Sequence, residues 1–298
     1  GWTKAVTDQL HRVCHTSNLY YSAPCANLAA ELCARTGMQK VFFSNSGAEA
    51  NECAVKAARA YGAAKHGADC YTILTLQNSF HGRTLTTLAA TGQDAFHEKF
   101  QPLTPGFVSI EPTPEALAAA LDTYKVAAVL FEIVRGEGGV LPLDKAFVDA
   151  LVKEAAARDF LLMCDEVQCG NGRSGTLYAY MQYGLSPDVV TTAKGLCGGL
   201  PLGATLLGDK VADLFTPGSN GSTFGGNPVA AAGALYVLSK LDDDLLAGVG
   251  HKSALICGAL AGAPGVESVT GLGLMLGVKT ALPAKEVASR CIGRGVLV

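Results

Sequence analysis

Charge is scarce in this sequence. Only 16% of the 298 residues are charged, and 26 acidic against 23 basic side chains leave a formal net charge of -3. That balance carries no footprint for nucleic acid or an anionic membrane surface. No apolar run reaches the roughly 18 residues of a membrane span. The opening GWTKAVTDQLHRVCH is amphipathic and lacks a signal-peptide pattern. These absences point to a cytoplasmic protein with neither nucleic-acid nor membrane partners. An initiator Met is missing as well, and the ending RCIGRGVLV stops on what reads as a strand, so both ends are expected to be cuts.

Paired cysteines are also lacking. The ten cysteines are scattered singly, with no C-x-x-C. A metal site built from Cys164, Cys169, Cys197 and His81 has no ligand-pair spacing behind it. Cys33, Cys53 and Cys164 stand among apolar residues and read as small buried hydrophobes in a reducing cytosol.

What the chain does have is apolar residues, at 49%. That is enough for a sizeable core in one large domain, or in a large domain with a smaller partner. Strand patterns are expected at 40–43, 71–76, 107–110, 126–131, 160–164, 187–192 and 202–207. Helical patterns are expected at 24–35, from SNSGAEANE to Gly62, and at 113–121, 145–158, 227–240, 241–260 and 284–291. The alternation predicts an α/β fold with a mainly parallel central sheet flanked by helices. After residue 240 the texture changes, which predicts an N-terminal segment at 1–37, a large domain at 38–240, and part of a smaller α+β C-terminal domain at 241–298.

Ligands of such sheets bind where strands end in loops at their carboxyl ends, and five polar clusters fall there. In SNSGAEANE, Ser46 and Glu49 form a capping box, yet the same helix start suits a phosphate. Both readings stay open. NSFHGRT offers Phe80 as core or as a ring-stacking face, and Arg83 as a solvated cation or a carboxylate clamp. EIVRGEGG carries two acids, Glu132 and Glu137, in a glycine-rich loop. In CDEVQ, Asp165 follows five apolar residues and is expected to be buried and in need of a cationic partner, whereas Glu166 points to the other side and pairs on the surface. TTAKGLCGG sets Lys194 in a low-charge surrounding where its amine could lose a proton and form a Schiff base, although an exposed turn lysine is the commoner state.

A competing pattern lies in the same region. Gly170-Asn171-Gly172-Arg173-Ser174-Gly175 reads G-x-G-x-x-G, with Asp188 further on, as in a dinucleotide site. Such glycines should follow the first strand directly, and here they come late and behind Asp-Glu-Val-Gln.

The ordered set FFSNSGAEANE, NSFHGRT, RGEGG, DEVQ, AKG and STFGGNP resembles the class III (ornithine-type) aminotransferases over nearly the whole chain. SGAEANE, HTSNLYY and DEVQxGxGRxG look most like the acetylornithine branch of that class. The resemblance implies fold type I, the cofactor pyridoxal 5'-phosphate (PLP), and a ping-pong transamination. The small-molecule partners would be an ω-amino donor and 2-oxoglutarate, as in arginine biosynthesis, with ornithine, succinylornithine and 4-aminobutyrate as alternative donors.

The resemblance also implies roles. Lys194 is the Schiff-base lysine and Asp165 the partner of the pyridine nitrogen. Gln168, helped by Glu132, meets the ring hydroxyl, and Phe80 stacks on the ring. Ser46, Gly47 and Ala48 hold the phosphate. Glu166 and Val167 complete the cofactor contacts. Arg83 binds a substrate carboxylate. Thr223, on phosphate, and Ser222, on substrate, reach in from the second subunit of a homodimer. Glu137 resembles the acid that holds aside an arginine found near the family's C-terminal end, in an R-F-x-P-P-like stretch outside these residues. Arg135 stands where the family has glutamine. A non-catalytic, PLP-free homologue is the alternative from another class.

Overall fold

The computed structural model describes residues 1–298. Eleven strands run in chain order: β1 Lys40–Ser44, β2 Thr72–Leu76, β3 Phe107–Ile110, β4 Val126–Phe131, β5 Val134–Arg135, β6 Leu141–Pro142, β7 Leu161–Asp165, β8 Val189–Thr192, β9 Gly203–Leu207, β10 Val266–Leu272 and β11 Met275–Thr280. The helices are α1 Trp2–Arg12, α2 Ala23–Thr36, α3 Gly47–His66, α4 Leu85–Ala90, α5 Pro114–Thr123, α6 Lys145–Arg158, α7 Pro228–Leu238, α8 Asp243–Leu260 and α9 Ala284–Ile292. Seven strands form one sheet in the order β1-β9-β8-β7-β4-β2-β3. The run from β3 to β8 is parallel, and β9 lies antiparallel to both β8 and β1.

Strand β4 is apolar throughout, and β7 is apolar up to Asp165, because both faces of the sheet are covered. Alternate residues feed two separate cores. Leu162 and Cys164 of β7, with Val129 and Phe131 of β4, join the larger one. Leu161 and Met163, with Ala128 and Leu130, join the smaller one beneath Ala54, Ala57, Ala58 and Tyr61 of α3. Position parity along a strand therefore decides which face a side chain meets.

Helix ends follow local chemistry. Thr113, Asp144 and Asn227 cap α5, α6 and α7 through their side-chain oxygens. Gly37 closes α2 at φ 74°. Residues 241–298 add α8, the antiparallel β10–β11 hairpin and α9. The strand expected in RCIGRGVLV is not formed. Its first residues complete α9, and residues 293–298 form a turn and irregular chain, with no neighbouring strand to pair with.

Candidate active site

Strand β2 leads to β3 on one side of the sheet and to β4 on the other, so the strand order reverses at β2 and β4. Ligand crevices form at such reversals, outside the carboxyl ends. Here a cavity of about 450 Å³ lies there, lined by residues that follow β1, β2, β4, β7 and β8. Asn45 to Ala48, Phe80 to Arg83, Glu132, Asp165, Val167, Gln168 and Lys194 all face it.

Asp165 ends β7 and is 3% exposed. Its parity turns it toward α3. Oδ2 accepts from Asn51 Nδ2 and from His81 Nδ1, both at 2.8 Å, and Oδ1 accepts from the Val167 amide at 3.0 Å. Asn51 donates as well to the His81 carbonyl at 2.8 Å and accepts from the Thr191 hydroxyl at 2.7 Å. His81 Nε2 is buried with no partner. A carboxylate so held has one orientation, and its charge is aimed into the crevice. Asn51 is the residue the sequence patterns do not single out, although it carries a signal: a polar residue on the buried stripe of α3, beside Ala50, Ala54 and Ala58, where apolar side chains are the rule.

Glu166 corrects one expectation. Its side chain lies on the face opposite Asp165, and it is not among the residues that line the crevice. It is fully buried and not paired on the surface. Its carboxyl accepts from the Ala179 and Tyr180 amides at 2.9 and 2.8 Å and ties β7 to the following turn. Burial pushes its pKa up to about 7 from 4.5, against the pull of those amides. The folded chain therefore holds a proton that the unfolded chain has released. The stability this provides is complete below pH 4.5 and is lost as pH rises to about 7. Glu166→Gln is expected to lower Tm, through one lost acceptor, and to flatten its fall across that window. Thermal denaturation as a function of pH checks this.

Glu132, just past β4, is 2% exposed and accepts from the Phe80 amide at 3.0 Å. Burial, and then the neighbouring Asp165 charge, push its carboxyl well above the usual range. Arg83 lies with its guanidinium 5.8 Å from the rings of both Phe80 and Phe96, and it has no acidic partner. At the start of α3, Ser46 Oγ accepts from the Glu49 amide at 3.2 Å, while Glu49 Oε2 reaches back to the Asn45 amide at 2.8 Å. The cap is real, yet the amides of Gly47 and Ala48 find no acceptor in the protein and open on the crevice. A Cβ at Gly47 would lie 2.7 Å from Val167 Cγ1, so glycine lets this helix start press against the exit of β7.

Lys194 opens a short turn after β8 at φ 45°, and its side chain is exposed. With Val167 and Gln168 it also lines a second cavity, of about 580 Å³, which reaches the β10–β11 hairpin and α8. Glu137 faces that second cavity and accepts from Gln168 Nε2 at 3.3 Å. Thr223 lies apart from the crevice of its own chain, in a recess with His15, Asn18 and Tyr20. Ser222 Oγ accepts from Asn45 Nδ2 at 3.2 Å. Arg135 is buried under the loop and donates to the Gln77 carbonyl at 3.0 Å, binding the acidic loop to β2.

The dinucleotide pattern does not assemble. Asp188 precedes β8 and accepts from the Leu162 amide at 2.8 Å, at the opposite end of the sheet from the crevice. The glycine loop opens no α-helix. Cys164, Cys169, Cys197 and His81 do not form a ligand cluster.

The class III aminotransferase family model matches residues 2–298. The chain belongs to that family. It is 48% identical over 299 residues to the acetylornithine aminotransferase of Haemophilus ducreyi, covering 99% of this chain and 76% of that protein. It is 43% identical to acetylornithine aminotransferase 1 of Bordetella pertussis, over all of this chain and 77% of that one. Among solved structures it superposes on the N-acetylornithine aminotransferase of Stenotrophomonas maltophilia with a TM-score of 0.85 at 36% identity, covering 99% of this chain and 76% of that one. It also superposes on the ornithine aminotransferase of Toxoplasma gondii with a TM-score of 0.94 at 29% identity, covering 99% and 73%.

This aminotransferase is therefore a PLP-dependent transferase of fold type I, as the motif resemblance implied. The crevice suits that cofactor. The unpaired amides at the α3 start match a phosphate. The buried Asp165 carboxylate matches a protonated ring nitrogen, Phe80 offers an aromatic face, and the Lys194 amine matches an aldehyde.

Proposed function

We propose that this aminotransferase moves the ω-amino group of N2-acetyl-L-ornithine to 2-oxoglutarate, giving N-acetyl-L-glutamate 5-semialdehyde and L-glutamate in arginine biosynthesis. One observation carries the reading. A buried carboxylate, Asp165, and an open lysine, Lys194, face a single crevice in a chain 48% identical to an acetylornithine aminotransferase.

Bound PLP supplies an electron sink for the carbon that loses its proton. The chain's own residues do the rest. Lys194 Nζ would hold the cofactor between turnovers; once the donor's amine displaces it, the freed Nζ would take the proton from the donor's ω-carbon as general base and give it back as general acid. Asp165 holds the proton on the ring nitrogen. Ser46, with the Gly47 and Ala48 amides, binds the phosphate. Phe80 and Val167 would contact the ring, and Gln168 with Glu132 would meet its hydroxyl. Arg83, bare of acidic partners, grips a substrate carboxylate. Glu137 and Ser222 border the substrate.

Thr223 is supplied by a second copy, so the working unit is a homodimer, acting in the cytoplasm. The exposed Leu19, Tyr20, Tyr21 and Phe224 beside Thr223 support such a face. Residues 38–240 act as the PLP-binding domain, after the 1–37 segment, with 241–298 as part of the small one.

A donor panel with 2-oxoglutarate tests the substrate. Acetylornithine is expected to lead ornithine and 4-aminobutyrate by at least about tenfold in kcat/KM. Ornithine in front would overturn the donor and leave transamination standing.

A further inference from the structure

Three residues facing the second cavity hold the left-handed backbone region without being glycine. They are Val140, at φ 57°, Asn171, at φ 56°, and Lys194, at φ 45°. Asparagine visits that region readily, whereas lysine does so only where its surroundings impose it. The surroundings here are specific. Asn171 Nδ2 donates to the Ala193 carbonyl at 3.0 Å and to Thr192 Oγ1 at 3.1 Å. The Ala193 carbonyl already accepts from the Leu196 amide at 2.9 Å, so the Asn171 bond is not needed merely to satisfy it. Thr192 and Ala193 are 0% and 2% exposed. One side-chain amide thus grips both residues that lead into Lys194.

Asn171 belongs to the GNGRSG loop, which binds neither nucleotide nor phosphate in the account above. The far side of that loop holds the C-terminal elements. The Leu274 amide donates to the Arg173 carbonyl at 2.9 Å, and Gly172 packs so closely on Leu241 that a Cβ there would stand 2.9 Å from Leu241 Cδ2. The loop is anchored on that side, which gives Asn171 a fixed base from which to hold Lys194.

We infer that Asn171 is a positioning residue: its amide locks the Thr192–Ala193 backbone, keeps Lys194 in its left-handed turn, and so sets Nζ at the junction of the two cavities. The inference rests on Lys194 being the reacting lysine. Asn171→Gly keeps the backbone freedom and deletes the amide. Asn171→Asp keeps the shape and loses the donor.

In cofactor-free protein, hydrogen–deuterium exchange over residues 193–199 is expected to quicken at least about tenfold in both variants, with the β4 and β7 peptides unchanged. In the loaded enzyme, kcat falls at least about tenfold in both half-reactions, because Lys194 serves both, while KM stays within about threefold. Wild-type exchange and kcat in either folded variant would overturn the inference. So would loss of the fold in both variants, which would make Asn171 structural. Lys194→Ala, run alongside, separates the two ideas. Turnover surviving in Lys194→Ala removes the reacting-lysine reading, whereas inactive Lys194→Ala beside fully active Asn171→Gly removes only this inference.

Discussion

Lys194→Ala is expected to reduce turnover by about 10⁴-fold or more and to abolish covalent attachment of PLP. Proton transfer by a positioned side chain is worth about 10²–10⁴-fold on its own, and the covalent bond to the cofactor is lost with it. The fold should survive, because the Lys194 side chain is exposed and makes no hydrogen bond or ion pair in the chain. Alanine does not remove the left-handed backbone at this position, so Tm should change little. Absorbance of the purified protein in the visible range, mass spectrometry after borohydride reduction, and single-turnover kinetics read the three consequences separately. A variant that retained a borohydride-fixed cofactor would move the covalent role to another lysine.

Asp165→Asn should lower kcat by about 10²–10³-fold, the usual loss when a preorganised charge is removed from a water-poor site. Here stability falls too. Asp165 Oδ2 faces two donors, Asn51 Nδ2 and His81 Nδ1, and Oδ1 faces the Val167 amide. An asparagine has one acceptor oxygen for three donors, so either flip sets its NH₂ against another N–H. Leaving a buried donor unmet costs about 1–3 kcal/mol. Titration of PLP into the cofactor-free variant and a thermal melt check the two effects. Turnover within tenfold of wild type would end the assignment of Asp165 to the ring nitrogen.

Much of the fold was legible in the chain because local patterns were unambiguous. Strands 107–110 and 126–131 and helix 145–158 stand where apolar runs and periodicity placed them. Strand 160–164 shifted by one, to Leu161–Asp165, because Asp165 itself pairs with Thr191 in the ladder. The errors came where a segment depended on others. RCIGRGVLV has the composition of a strand but nothing to pair with. Glu166 has the look of a surface acid, yet the amides of Ala179 and Tyr180, contributed by a later turn, make a buried seat for it.

The five polar clusters were set by the sequence alone, because each sits directly after an apolar strand, and parallel strands deliver such clusters to one end of a sheet. The parity within Asp165-Glu166 was set there as well, since successive side chains along a strand point to opposite faces. Only the tertiary structure decided what each face holds. Asp165 meets Asn51 and His81, Asn51 is held in turn by Thr191, and the glycine loop that first suggests a nucleotide instead lodges Asn171 against Ala193 and the β10–β11 hairpin against Arg173. These partners lie tens to more than a hundred residues away along the chain. No local periodicity carries that information, because a buried polar group is satisfied by whatever the packed sheet and helices bring within hydrogen-bonding reach.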